Sequence, residues 1–156
     1  MNVNKKIWKF LWFLYLVIII KLVIFKYPIE RLIEISNTWT KEVVWEGLFN
    51  ANFTLGRSIK MYIRYFHNFP FWNGVANLYG NFIAFIPFGI FLPVCYKDCR
   101  SIWKVFFFSL MFVVFIELFQ LFSAFGVFDV DDILLNVSGA VTGYVLFYLW
   151  ERKNIN

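Results

Sequence analysis

The sequence predicts an all-α integral membrane protein, a four-transmembrane-helix bundle with both termini cytoplasmic and a partly helical interfacial outer loop. Three observations predict it. The 156 residues are 61% hydrophobic and 24% aromatic but only 16% charged, more apolar surface than a soluble domain of this length can bury. Four stretches approach the roughly 20 apolar residues that a helix needs to cross about 30 Å of hydrocarbon. The lysines and arginines are also divided unevenly between the segments that join those stretches.

The first stretch, IWKFLWFLYLVIIIKLVIF, covers 7–25 and holds Lys9 and Lys21 near its ends, where a long side chain can extend its ammonium to the interface. Lys5, Lys6 and Lys9 before an apolar run also fit the start of a secretory signal, but no small-residue cleavage site follows, so an anchor is expected. An outer loop is expected over 26–76. Within it LGRSIKMYIRYF sets Ile59, Tyr62, Ile63 and Phe66 on one side and Arg57, Lys60 and Arg64 on the other, as in a helix lying in an interface. Such a helix suits phosphate headgroups or an anionic ligand, or equally a plain apolar face on the bundle with a solvated basic back. The preceding ERLIEISNTWTKEVVWE mixes charges and reads as a covering element, and the single histidine, His67, is weak evidence for acid–base chemistry.

The second span, 77–96, carries no charge; Pro87 and Pro93 are expected to kink it and free carbonyls for neighbours. The third, 105–125, contains one charge, Glu117, and the fourth, 133–150, contains none. All belong to one membrane domain, 1–156. With the N-terminus inside, Lys5, Lys6, Lys9, Lys97, Arg100, Lys104, Arg152 and Lys153 fall on short cytoplasmic segments, leaving a long outer loop with diluted charge. Cys95 and Cys99 lie at the inner end of the second span, lack the partners of a zinc site, and read as two partly buried thiols.

With this topology three polar stripes share one half of the bilayer. Asn77 and Asn81 are four apart in the second span, Glu117 and Gln120 three apart in the third, and Asp132 and Asn136 four apart in the fourth, so each pair shares a helix face. A carboxylate at the depth of Glu117 costs roughly 2.5–3.5 kcal/mol on insertion scales, so Glu117 is expected to face the bundle or a wet cavity. Gly139 and Gly143 form GxxxG beside Ala140, and this close-packing face also carries Asn136. Asp132 is positioned to cap the fourth span. Capping does not account for Asp129, Asp131, Asp132, Glu117 and Asn136 together; an outward-opening acidic pocket does.

The motifs NLYGNFIAFIPFGIFLP, IELFQ and FDVDDILLNVSGAVTGY, in this order and spacing, resemble the VanZ-like family of bacterial membrane proteins, named for a member associated with reduced susceptibility to the glycopeptide teicoplanin. The likeness runs from about Arg64 to Trp150, the N-terminal third matching as an anchor plus loop. It implies a cytoplasmic (cell) membrane location and functional weight on Asn77, Asn81, Glu117, Gln120, Asp129, Asp132 and Asn136. Relatives often carry an arginine where Gly126 and Val127 stand, a charge that Arg57 or Arg64 would have to supply here.

Three functions compete. In the first, the pocket binds a glycopeptide drug, a lipid-linked cell-wall precursor or another envelope component through Asn77, Asn81, Gln120, Asp129, Asn136, Arg57 and Arg64. In the second, a membrane-embedded enzyme acts on a lipid-linked or phosphorylated substrate, with Glu117 and Asp132 as catalytic groups and a divalent cation on Asp129, Asp131 and Asp132. No nucleophile is paired with a base at recognisable spacing, so the enzyme ranks below binding. Ion or proton transport through Glu117 is third, because four spans without a repeat make a poor transporter. Membrane lipids are the expected partners in every case, and nucleic acid is not.

Overall fold

A computed structural model of the chain describes residues 5–24, 27–64 and 71–155, with the backbone alone at 23, 24, 71–77, 154 and 155. Seven helices run through these residues: α1 Lys5–Ile24, α2 Ile29–Asn37, α3 Lys41–Asn50, α4 Arg57–Arg64, α5 Phe71–Cys95, α6 Ile102–Ser123 and α7 Val130–Ile155. A short 3-10 turn, Lys97–Cys99, joins α5 to α6. The described residues contain no strand, only one bridge between Asn52 and Asp129.

Three helices are long and apolar enough to cross a membrane, over Leu78–Cys95, Ile102–Ser123 and Val130–Lys153. At about 1.5 Å per residue the 22 residues of α6 reach about 33 Å, enough for the hydrocarbon layer. Their outward residues are those that lipid requires. Along α6, Phe107, Met111, Phe115, Leu118 and Phe122 are exposed, while Val105, Ser109, Val113, Ile116, Glu117, Gln120 and Leu121 turn inward. A soluble chain would hide the first set; on α6 this exposed set is apolar, as expected of a membrane protein.

Helix α1, expected over 7–25, is described over Lys5–Ile24, and the other boundaries shift further. The helix that carries the second span, α5, starts at Phe71, six residues before the expected 77, and α7 begins at Val130 and runs to Ile155, beyond both expected ends. The outer loop holds three helices, including the expected α4. Apolar content marks where lipid begins; a helix continues through any residues that its backbone hydrogen bonds tolerate.

The closest helix pair is α5 and α7. An ideal Cβ on Gly139 would lie 2.0 Å from the Phe82 carbonyl oxygen, one on Gly143 2.0 Å from that of Ile86, and one on Gly89 1.8 Å from that of Ala140. Both helices therefore meet backbone to backbone, as the GxxxG spacing predicts. The aromatic core lies alongside. Phe85 and Phe88 stack on each other, Phe88 stacks on Phe112 of α6, and Trp12 of α1 meets Phe88 edge-on. The Tyr15 hydroxyl of α1 donates to the Ala84 carbonyl at 2.8 Å, one residue past Ile83, whose carbonyl is the one that Pro87 leaves without a helical donor.

One end of the assembly gathers the basic residues. Cys95 donates its thiol to the Trp8 carbonyl, and Lys9 lies over the Tyr96 ring. Arg100 pairs with Glu151 at 2.6 Å, donates Nε to the Pro93 carbonyl and covers the Phe147 ring. The start of α1, the end of α5, the start of α6 and the end of α7 thus meet. The loop helices pack at the opposite end, where the Trp39 indole donates to the Phe122 carbonyl at 2.8 Å and serves one of the last free carbonyls of α6.

Candidate functional site

The site lies at this second end, where α6 hands over to α7. Ala124 closes α6 in the left-handed region, with φ of 59°, so the chain reverses within a few residues. Gly126 follows because an ideal Cβ there would come within 3.1 Å of three side-chain atoms of Gln120. A larger residue at position 126, in the region where relatives often carry arginine, would need Gln120 to give way by a few tenths of an ångström, while Val127 is exposed.

The returning chain pairs with the outer loop. Asn52 donates its backbone N–H to the Phe128 carbonyl at 2.8 Å, and Val130 donates to the Asn52 carbonyl at 3.0 Å, with the Phe53 and Phe128 rings packed beside the bridge. This pairing brings two carboxylates, those of Asp129 and Asp131, against the start of α4. Asp129 Oδ1 accepts from Asn52 Nδ2 and from the Asp131 N–H, both at 2.8 Å, and its Oδ2 accepts from the Ser58 hydroxyl. Asp131 Oδ1 accepts from the Gly56 N–H at 2.5 Å; its Oδ2 accepts from the Ser58 N–H at 2.8 Å and more distantly from Ile59 N–H and Asn52 Nδ2, each at 3.4 Å.

These bonds revise the expected capping. Asp129 precedes α7 and accepts the N–H of the second helical residue, so Asp129 is the N-cap and Asp132 sits inside the first turn. Asp131, also in that first turn, turns away from α7 and caps α4 across the chain, where free amides and the positive dipole end attract a carboxylate. One loop peptide thus closes two helices. The carboxylates of Asp129 and Asp131, expected with Asp132 to hold a cation, direct all four of their oxygens at N–H and O–H donors. Among the described residues no group of three or more His, Cys, Asp or Glu is arranged for a metal ion.

Glu117 faces the interior as expected: it is 1% exposed, and its Oε2 accepts the Asp129 N–H at 3.0 Å. Gln120, one turn on, is buried beside it. Asn136 follows Asp132 by four residues and Asp129 by seven, so it shares their face, about 6 Å beyond Asp132 and about 10 Å beyond Asp129 along α7. It is 1% exposed, and among the described residues its Oδ1 is buried with no hydrogen-bond partner. Asn81 is half-buried on α5. Arg57 and Arg64 are exposed on α4, away from the carboxylates that its other face meets. The side chain of Asn77, and His67 altogether, lie outside the described residues.

A family model described as VanZ/LLP1 matches residues 12–151. This chain belongs to the VanZ-like family. The match begins well before Arg64, where the sequence resemblance was placed, and so takes in the outer loop with Asn52 and Ser58. Membership of this family agrees with the three apolar helices in making the chain a membrane protein, of a kind linked to glycopeptide resistance. No curated protein and no solved structure is recognisably similar to it.

Sequence reading missed Asn52 and Ser58, the residues that tie the VanZ-like acids to the outer loop. A local signal existed. Asn52 Oδ1 accepts the Thr54 N–H at 3.0 Å, an Asx turn of the sort that Asn-x-Thr before a glycine favours, and Gly56 takes a φ of 80° just before α4. Those cues announce a turn, but not its partner.

Proposed function

We propose that this VanZ-like chain is a multi-pass protein of the bacterial cytoplasmic membrane, with both termini cytoplasmic. In this reading it contributes to glycopeptide (teicoplanin) resistance by binding the drug or an envelope component at an outward-facing polar pocket. The carrying observation is Asn136. A buried amide oxygen without a donor costs about 1–3 kcal/mol, so a ligand N–H or O–H reaching it recovers that penalty on binding. Glu117 and Gln120 add acceptor and donor capacity from α6, and the Asp129–Asn52–Ser58 contacts hold the rim in place. Orientation follows from the basic residues gathered at the opposite end, which the positive-inside rule assigns to the cytoplasm.

The test is drug susceptibility of a sensitive bacterium expressing the protein, with binding of labelled teicoplanin or precursor lipid to nanodisc-embedded protein measured in parallel. Asn136→Leu keeps the side-chain size and removes the amide; it should abolish both protection and binding at unchanged protein level. Full protection by Asn136→Leu sinks this reading.

The second reading, an enzyme on a lipid-linked or phosphorylated envelope substrate, draws on Glu117 being an ionisable group buried within a span. Glu117→Gln separates the two, because glutamine still accepts the Asp129 N–H. Binding survives that change; acid–base catalysis does not.

A further inference from the structure

We propose that α4 docks this end of the protein on anionic phospholipid headgroups, through Arg57, Lys60 and Arg64. The surface is distinct from the Asn136 pocket and stands whether or not that pocket binds a drug. Three features of α4 carry it.

The first is the helix face. Ser58, Ile59 and Tyr62 are half-buried against the protein, while Arg57, Lys60, Met61, Ile63 and Arg64 are exposed. Arg57, Lys60 and Arg64 recur at i, i+3 and i+7 and form one stripe. No acidic residue occurs from Phe53 to Arg64, and among the described residues none of the three cations takes part in a salt bridge. The stripe is a concentrated positive charge without an internal counter-ion.

The second is its level. Asp131, in the first turn of the Val130–Lys153 span, holds the Gly56 and Ser58 amides at 2.5 and 2.8 Å. α4 is therefore pinned at the mouth of a membrane-crossing helix, where phosphates lie. The same bonds occupy the helix N-terminus, so attraction to an anion falls to the three side chains.

The third is the company that the cations keep. Phe53, Leu55 and Ile63, close to them in sequence, are 63%, 61% and 66% exposed, and Phe49 near the end of α3 is 85% exposed. Cations over exposed aromatic and aliphatic residues suit an interface, where the apolar groups enter the acyl boundary and the charges meet phosphate. A helix that was merely solvated on its outer face would not need that apolar fringe.

The experiment uses the full chain in nanodiscs with Cys95→Ser, Cys99→Ser and Met61→Cys, the last carrying bimane on the exposed face. Quenching is compared for phosphatidylglycerol and phosphatidylcholine, each brominated near the glycerol end of its acyl chains and present as a minor component. The expected result is stronger quenching by phosphatidylglycerol, with the preference falling by about fivefold or less for each cation neutralised. It should vanish in the triple variant Arg57→Gln, Lys60→Gln, Arg64→Gln and at high salt, and persist in Arg57→Lys, Arg64→Lys. Equal quenching by the two lipids in the parent overturns the proposal. So does a preference that survives the triple variant, or a fluorophore that neither lipid reaches.

Discussion

Replacing Asp131 by asparagine should release α4 from α7 while leaving the spans intact. Asparagine has the shape of aspartate, but one of its two terminal atoms is a donor. If its oxygen faces Ser58 N–H and Ile59 N–H, the amino group faces Gly56 N–H; if the amide flips, the other two amides lose their acceptor. An unserved donor costs about 1–3 kcal/mol, and losing a carboxylate from a helix N-terminus adds about 0.3–1 kcal/mol, more where the site is partly buried. Together these give roughly 2–4 kcal/mol, or about 30-fold to several-hundred-fold in the local opening equilibrium at 1.4 kcal/mol per tenfold. Amide hydrogen exchange of the full chain in nanodiscs, followed on peptides covering 52–64, reads that change. Protection should drop there and stay unchanged in α6. The exposed Arg31–Glu34 pair, 2.6 Å apart, supplies a control: Arg31→Gln should alter exchange little, since exposed pairs contribute about 0–1 kcal/mol. A change below about threefold for Asp131→Asn would refute the trans-capping argument.

Gly139→Ala and Gly143→Ala should each destabilise the protein by about 3 kcal/mol or more in thermal unfolding, because a methyl 2.0 Å from a backbone carbonyl oxygen forces α5 and α7 apart. Gly80→Ala, with nothing within 4 Å of its ideal Cβ, should instead gain up to about 1 kcal/mol through helix propensity. Burial pushes the Cys99 thiol above its ordinary range, only partly offset by the Lys104 charge, so less of it is thiolate at neutral pH. In a Cys95→Ser background, alkylation of Cys99 should lag behind a free thiol and accelerate as pH rises. A membrane-impermeant maleimide should reach it only after permeabilisation, and labelling of intact cells would reverse the proposed orientation. Arg100→Gln removes the Glu151 pair and the contact with the Phe147 ring; a loss of about 1–2 kcal/mol is expected, shrinking with salt.

Legibility differed between the spans and the site. Glu117 was expected inside because a charge in a long apolar run cannot face lipid, and it is buried. Asn136 was expected on the packing face because it shares that face with Gly139 and Gly143, and all three are buried. Both inferences use local spacing on a single helix. Asp131 misled for the same reason: beside Asp132 at a helix start it reads as part of an acidic rim, whereas its oxygens serve a helix 73 residues away in sequence at Ser58. Asn52 and Ser58 carried no periodic signature, and nothing around them names a partner.

What the sequence by itself determined is where apolar helices run, which faces can approach closely, and which polar residues must turn from lipid, because each follows from a solvent boundary acting on neighbouring residues. Only the tertiary structure decided that Asn52 pairs beside Phe128, that Asp129 rather than Asp132 caps α7, and that Asp131 closes α4. Apart from the local Asp129 cap, those contacts join segments 71 to 79 residues apart through hydrogen bonds whose geometry depends on how the α6–α7 reversal meets the loop. Hydrogen bonding is directional and satisfied pair by pair, so the chain between such partners leaves no trace of which donor a given carboxylate will meet.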